Sequence, residues 1–187
     1  MLTLSTGLVY SLNCFNKIWQ CAFIFTLLTL LINFITYQKG IKKTLSVIFL
    51  ATIFAFVVSM NKTYFIQGKP INGLFFASYF SVLVSLSMSS FFFMYLNKSK
   101  ALSFIVSSFL TVIFAAIIDG LFMGVFFSNL YPTLRVINIF TQEVAYKALY
   151  GGLLCFVFKT LGSLFERKSK SADFKHRFVS FADKKSR

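Results

Sequence analysis

Apolar residues run in long blocks along this chain, and polar residues gather in short stretches between them. A helix needs about twenty apolar residues to cross the hydrocarbon of a bilayer. Residues 2–15, LTLSTGLVYSLNCF, are apolar but short for a full span. Trp19–Tyr37 makes a clear second span, ended by the basic, glycine-bearing turn QKGIKK. Thr44–Met60 is the third, and the NKTYFIQGKP that follows holds a Gly-Lys-Pro at which a helix cannot continue. Ile71–Leu96 is the fourth, closed by NKSK. Residues 101–127 form the fifth and 136–163 the sixth, joined by SNLYPTLR. The expected fold is all-α: a polytopic helical membrane protein of about six transmembrane helices, the first one short. The transmembrane domain covers residues 1–165, and a basic, soluble tail covers 166–187.

Composition sharpens this reading. The chain is 57% apolar and 19% aromatic, with only 13% charged residues, too few to cover a soluble domain of this hydrophobicity. A net charge of +14 invites thoughts of nucleic acid, but the Lys and Arg residues flank the spans and fill the tail. With six spans and both ends inside, the inner loops hold Lys39, Lys42, Lys43, Lys98 and Lys100, to which the tail adds eight more. The outer loops hold Lys17, Lys62, Lys69 and Arg135. Thirteen against four places both termini in the cytoplasm and argues against nucleic acid as a partner. The first Lys is Lys17, so no basic n-region marks a cleavable signal and the N-terminus is read as part of the mature chain. Cys14, Cys21 and Cys155 lack metal-ligand spacing and read as small lipophilic side chains. In the tail, Phe174, Phe178 and Phe181 stand among basic residues, which fits either an interfacial helix on anionic lipid or a solvated disordered segment. His176 lies there with no assigned role.

Outside the tail the only acids are Asp119, in the fifth span, and Glu143, in the sixth. A charge in hydrocarbon costs about 2.5–3.5 kcal/mol on insertion scales, so it persists by pairing or by facing a wet cavity. Glu143 precedes Lys147 by four residues, the favourable order for a helical ion pair, and Gly151 follows on the same face. Helical spacing also draws polar stripes: Thr26, Thr29, Asn33 and Tyr37 in the second span, Ser78, Ser81, Ser85 and Ser89 in the fourth, and Ser108, Thr111, Ala115 and Asp119 in the fifth. Such stripes serve as packing seams or as the lining of a path. On the assigned topology Asp119 and Glu143 fall in the outer half, Lys147 one turn deeper, and Asn33 nearer the inner end. The candidate substrate-binding residues are Asp119, Lys147, Glu143, Asn33, Ser85 and Ser89. The chain shows no phosphate-binding glycine loop, metal-ligand cluster or nucleophile–base constellation, so neither enzymatic activity nor a cofactor is expected.

With these features laid out, the chain resembles the queuosine precursor transporter family, also called the VUT family. FTLLTLLINFITYQKGIKKTLSVIF, Phe25 to Phe49, is similar to a family pattern of an apolar run, an acidic position, a glycine turn and basic residues. FASYFSVLVSLSMSSFFFMYLNKS, followed by the serine-bearing run ending in IIDGLF, makes a second likeness, and EVAYKAL a third. The resemblance implies six spans, cytoplasmic ends in a bacterial inner membrane, and import of a 7-deazaguanine base used in tRNA modification. It sets Asp119, Lys147 and Gly40 on matching positions and Asn13 on a first-span Asn. The family's second-span Asp is Asn33 here, a charged position one turn later is Tyr37, and a fourth-span Asp is Ser89. The first span also begins short of the family pattern. The expected function is therefore a transporter for a 7-deazaguanine base, with the lipid bilayer and a second copy of the chain as further partners. The alternatives are a substrate-binding subunit of a vitamin importer or a non-transporting membrane scaffold.

Overall fold

Glycine, proline and a capping serine mark the helix ends. A computed structural model describes residues 1–12, 17–60, 65–66, 69–70, 73–98 and 102–185, with the backbone alone at 65–66, 69–70 and 161–185. Six helices follow in order: α1 (Leu2–Leu12), α2 (Ile18–Lys39), α3 (Ile41–Ser59), α4 (Leu74–Lys98), α5 (Phe104–Ser128) and α6 (Thr133–Lys185). Between α3 and α4 lie two short antiparallel strands, β1 (Phe65–Ile66) and β2 (Lys69–Pro70), with Phe65 opposite Pro70 and Ile66 opposite Lys69. Gly40 alone separates α2 from α3, at φ +78° and ψ 168°. Only glycine occupies that region without strain, which is why QKGIKK turns the chain so tightly. Ser103 caps α5 by accepting from the Val106 N–H, so this helix begins three residues after the expected start. Pro132, whose fixed φ suits a first turn, starts α6 earlier than expected, with the Val136 N–H donating to its carbonyl.

Helices α2, α3, α4 and α5 are each long and apolar enough to cross a membrane, judged by length and composition. Many of their large apolar side chains point outward: Phe49, Phe54, Phe76, Phe80 and Phe91 of α3 and α4 are exposed. Small and hydroxyl residues point inward: Thr26, Thr29, Ser81, Ser85, Ser89, Ser108, Thr111 and Ala115 are buried. This is the reverse of a water-soluble bundle and is compatible with a protein embedded in lipid. At eleven residues, α1 is too short to span alone. Its Val9 and Leu12 belong with Phe25, Leu28, Ile48, Ala55, Val82, Leu86 and Ala115 to a core shared by α1 to α5. The backbone of α6 continues helical past residue 165 into the basic stretch, to Lys185. The side chains of Phe174, His176, Phe178 and Phe181, together with Cys14 and Asn13, lie outside the described residues.

Helix α5 packs most extensively on α4 and α6. Two glycines bring α5 and α6 close. A Cβ on Gly120 would lie 2.6 Å from the Phe140 ring, and one on Gly151 would lie 3.0 Å from Val112 Cγ1. Gly120→Val is therefore expected to displace Phe140 and destabilise the protein by about 1–3 kcal/mol, the usual range for overpacking. A lowered melting temperature of the detergent-solubilised protein is the check; an unchanged one would show that the seam has room.

Candidate functional site

The buried hydroxyls of this bundle fall into three groups. Most satisfy themselves on their own helix: Thr29 donates to the Phe25 carbonyl, Thr36 to Ile32, Thr52 to Ile48, Thr111 to Ser107, and Ser90 to Leu86. Ser85 and Ser89 do the same, donating to the Val82 and Leu86 carbonyls at 3.2 and 2.9 Å. Such back-bonding lets a hydroxyl sit in a helix seam without a partner across it. A second, smaller group bonds between helices, and its members include the neighbours of the charged residues. A third group finds no partner.

The charged residues meet at one place. Lys147 Nζ lies 2.5 Å from Asp119 Oδ2 on α5 and 2.5 Å from Glu143 Oε1, one turn back on its own helix. Side chains on a helix lean toward its N-terminus, so the Lys147 ammonium returns to the level of Glu143 although its backbone lies a turn farther along α6. Ser81 Oγ on α4 donates to Asp119 Oδ1 at 2.5 Å and approaches the Asp119 carbonyl at 3.0 Å. Below the ammonium lies the Phe25 ring of α2, its centroid 3.9 Å away, in cation–π contact. Thr26 Oγ1 reaches the Lys147 carbonyl at 3.4 Å while also donating to Ala22. Four helices thus converge on a single ammonium that is 1% exposed.

The two carboxylates are not equivalent. Asp119 has one oxygen on Lys147 and the other on Ser81, and it is buried. Glu143 has one oxygen on Lys147, and its side chain retains 18% exposure. Among the described residues, Lys147 is the cation paired with either acid. Two carboxylates around one ammonium leave a surplus of one negative charge. In a low-dielectric setting that surplus attracts a proton or a positively polarised donor group, and Glu143 is where it can be reached.

The six predicted site residues do not form one cluster. Asp119, Glu143 and Lys147 come together. Asn33 lies eight residues beyond Phe25 on α2, which is about 12 Å farther along the axis. Both Asn33 side-chain atoms, Oδ1 and Nδ2, are buried without a hydrogen-bond partner among the described residues, as are the hydroxyls of Ser107 and Ser108. An unmet buried polar group costs about 1–3 kcal/mol. Ser85 and Ser89 stand on the inward face of α4, occupied by their own helix. Tyr37, at the end of the α2 stripe, is exposed and packs edge-on against Phe104.

Three contributors were not singled out from the sequence. Ser81 belongs to the predicted α4 stripe, and its place one turn before Ser85 was the available signal. Phe25 is one of 27 phenylalanines, and nothing in the sequence distinguishes it. Ser107 falls off the α5 stripe by one residue. The described residues hold no group of His, Cys, Asp and Glu suited to a metal ion. Comparison with known protein families, curated proteins and solved structures finds no match to this chain.

Proposed function

We propose that this protein is a transporter of the bacterial cytoplasmic membrane, with α2 to α6 as full spans, α1 as a short first one, and both ends in the cytoplasm. Its substrate is a queuosine precursor, a 7-deazaguanine base. The observation that carries this reading is the charge group itself: two carboxylates on one ammonium, held by α2, α4, α5 and α6 inside an apolar bundle. One acid would suffice to pair the one base. The second acid, partly exposed, supports a group that exchanges a proton or a donor. Such a base presents amino and ring N–H donors along one edge and a π-face. Glu143 accepts from the donor edge, Lys147 holds the local charge near neutrality, and Asp119 with Ser81 fixes the ammonium. The order and spacing of the family-like runs, from Phe25 to Lys147, support the substrate class. The excess of Lys and Arg in alternate loops supports the orientation.

The test is complementation. Expressed in a bacterial strain unable to make or import the precursor, the chain is expected to restore queuosine in tRNA when the base is supplied. A truncation at Glu166 should restore it nearly as well, since the charge group lies within the bundle. Absence of queuosine with an abundant, membrane-inserted protein would reject the substrate class. Loss of function on removing the tail alone would favour a scaffold.

A further inference from the structure

The unpartnered polar atoms lie at one level of the bundle. Helices α2 and α5 run antiparallel: the Tyr37 and Phe104 rings meet at 5.2 Å, and Leu30 shares a core cluster with Val112. Asn33 falls midway between Leu30 and Tyr37, and Ser108 falls midway between Val112 and Phe104, so the two face the same layer. At about 100° per residue, Ser108 lies on the stripe of Val112 and Ala115, with buried Ser107 next to it round the helix. Helix α4 passes alongside, carrying Ser89 between the Ser81–Asp119 contact and the Phe93–Phe104 ring contact. The Lys147 group sits about 12 Å away along the axis, and Lys159, nearer this level on α6, is exposed, so among the described residues no buried charge belongs to this layer.

We infer that Asn33, Ser107 and Ser108 form a second, uncharged binding station that takes a neutral planar ligand by a donor–acceptor edge of the lactam or amide type. Asn33 Oδ1 and Nδ2 both lack a partner, so the complementary ligand must offer a donor beside an acceptor. A bare cation meets the oxygen and leaves the amide N–H unmatched. An anion does the reverse. A lactam edge satisfies both atoms, and the two serine hydroxyls, free to rotate, meet a third polar atom from α5. The absence of charge makes this station suited to release: the ligand leaves Glu143 and Lys147 for weaker, neutral hydrogen bonds nearer the cytoplasm. This role presumes the transport reading above, whereas the edge chemistry does not depend on which base is carried.

Equilibrium binding to the detergent-purified protein tests it, with 7-deazaguanine, uracil and nicotinamide as probes and indole, which lacks the paired edge, as control. Wild type is expected to bind at least one of the three and not indole. Asn33→Leu should weaken that binding tenfold or more, and Ser108→Ala, which fits wherever serine does, should weaken it several-fold. Asn33-dependent binding of uracil or nicotinamide without 7-deazaguanine would support the station and reject the proposed substrate. Equal binding of 7-deazaguanine by wild type and both variants would overturn the station and leave the transport reading standing. Binding of no probe by wild type would overturn the station as well.

Discussion

Lys147→Met is expected to deplete the protein from the membrane and lower the melting temperature of what remains. The ammonium is the only countercharge the two acids have among the described residues, and it is almost wholly buried. Removing one partner of a buried ion pair leaves an uncompensated charge and typically costs about 3–5 kcal/mol. Against a total stability of about 5–15 kcal/mol, that loss is a large fraction. Methionine matches the length of the lysine stem and keeps contact with Phe25, so charge rather than volume is what changes. Adding Asp119→Leu and Glu143→Gln to Lys147→Met should restore much of the abundance, because an apolar replacement of a whole buried pair is tolerated. Uptake should not return. Immunoblots of membrane fractions with melting curves in detergent are the check. A single variant that melts like wild type would mean that Lys147 does not hold the two acids together.

Glu143→Gln should do the opposite, leaving the protein folded and abundant while uptake falls. The variant retains a balanced pair, Lys147 with Asp119, still fixed by Ser81. It loses only the surplus charge and the acceptor that retains exposure. A hydrogen bond to a charged group contributes about 1.5–3 kcal/mol, so substrate affinity should drop roughly ten- to hundred-fold. Initial rates of base uptake, normalised to membrane protein, read the effect. Wild-type uptake by this variant would move the acceptor elsewhere. The pair of variants is diagnostic together: one group of three charges predicts a stability defect from losing the base and an activity defect from losing the outer acid.

Much of this was legible along the chain because helical spacing fixes faces. The Glu143 and Lys147 pairing follows from their separation of four, and the partnership with Asp119 follows from the cost of leaving a lone acid in an apolar helix. The threonine and serine stripes turned inward as expected. Spacing does not say which helices become neighbours, however, and several similar apolar helices allow many arrangements. Hence Ser81 was one hydroxyl among many, and Phe25 one ring among many. Nor does spacing reveal which buried hydroxyls bond to their own backbone. Ser85 and Ser89 do, while Asn33 is left unmet. The expected division after residue 165 rests on a change of composition, and helical backbone does not require an apolar sequence, so α6 runs on through the basic stretch.

Uptake of 7-deazaguanine into proteoliposomes made with the purified chain tests the charge group most directly. Wild-type vesicles are expected to accumulate the base faster than empty ones, and vesicles carrying Glu143→Gln or Asp119→Asn at equal density should match the empty ones. Wild-type vesicles no faster than empty ones, or both variants as fast as wild type, would contradict the account.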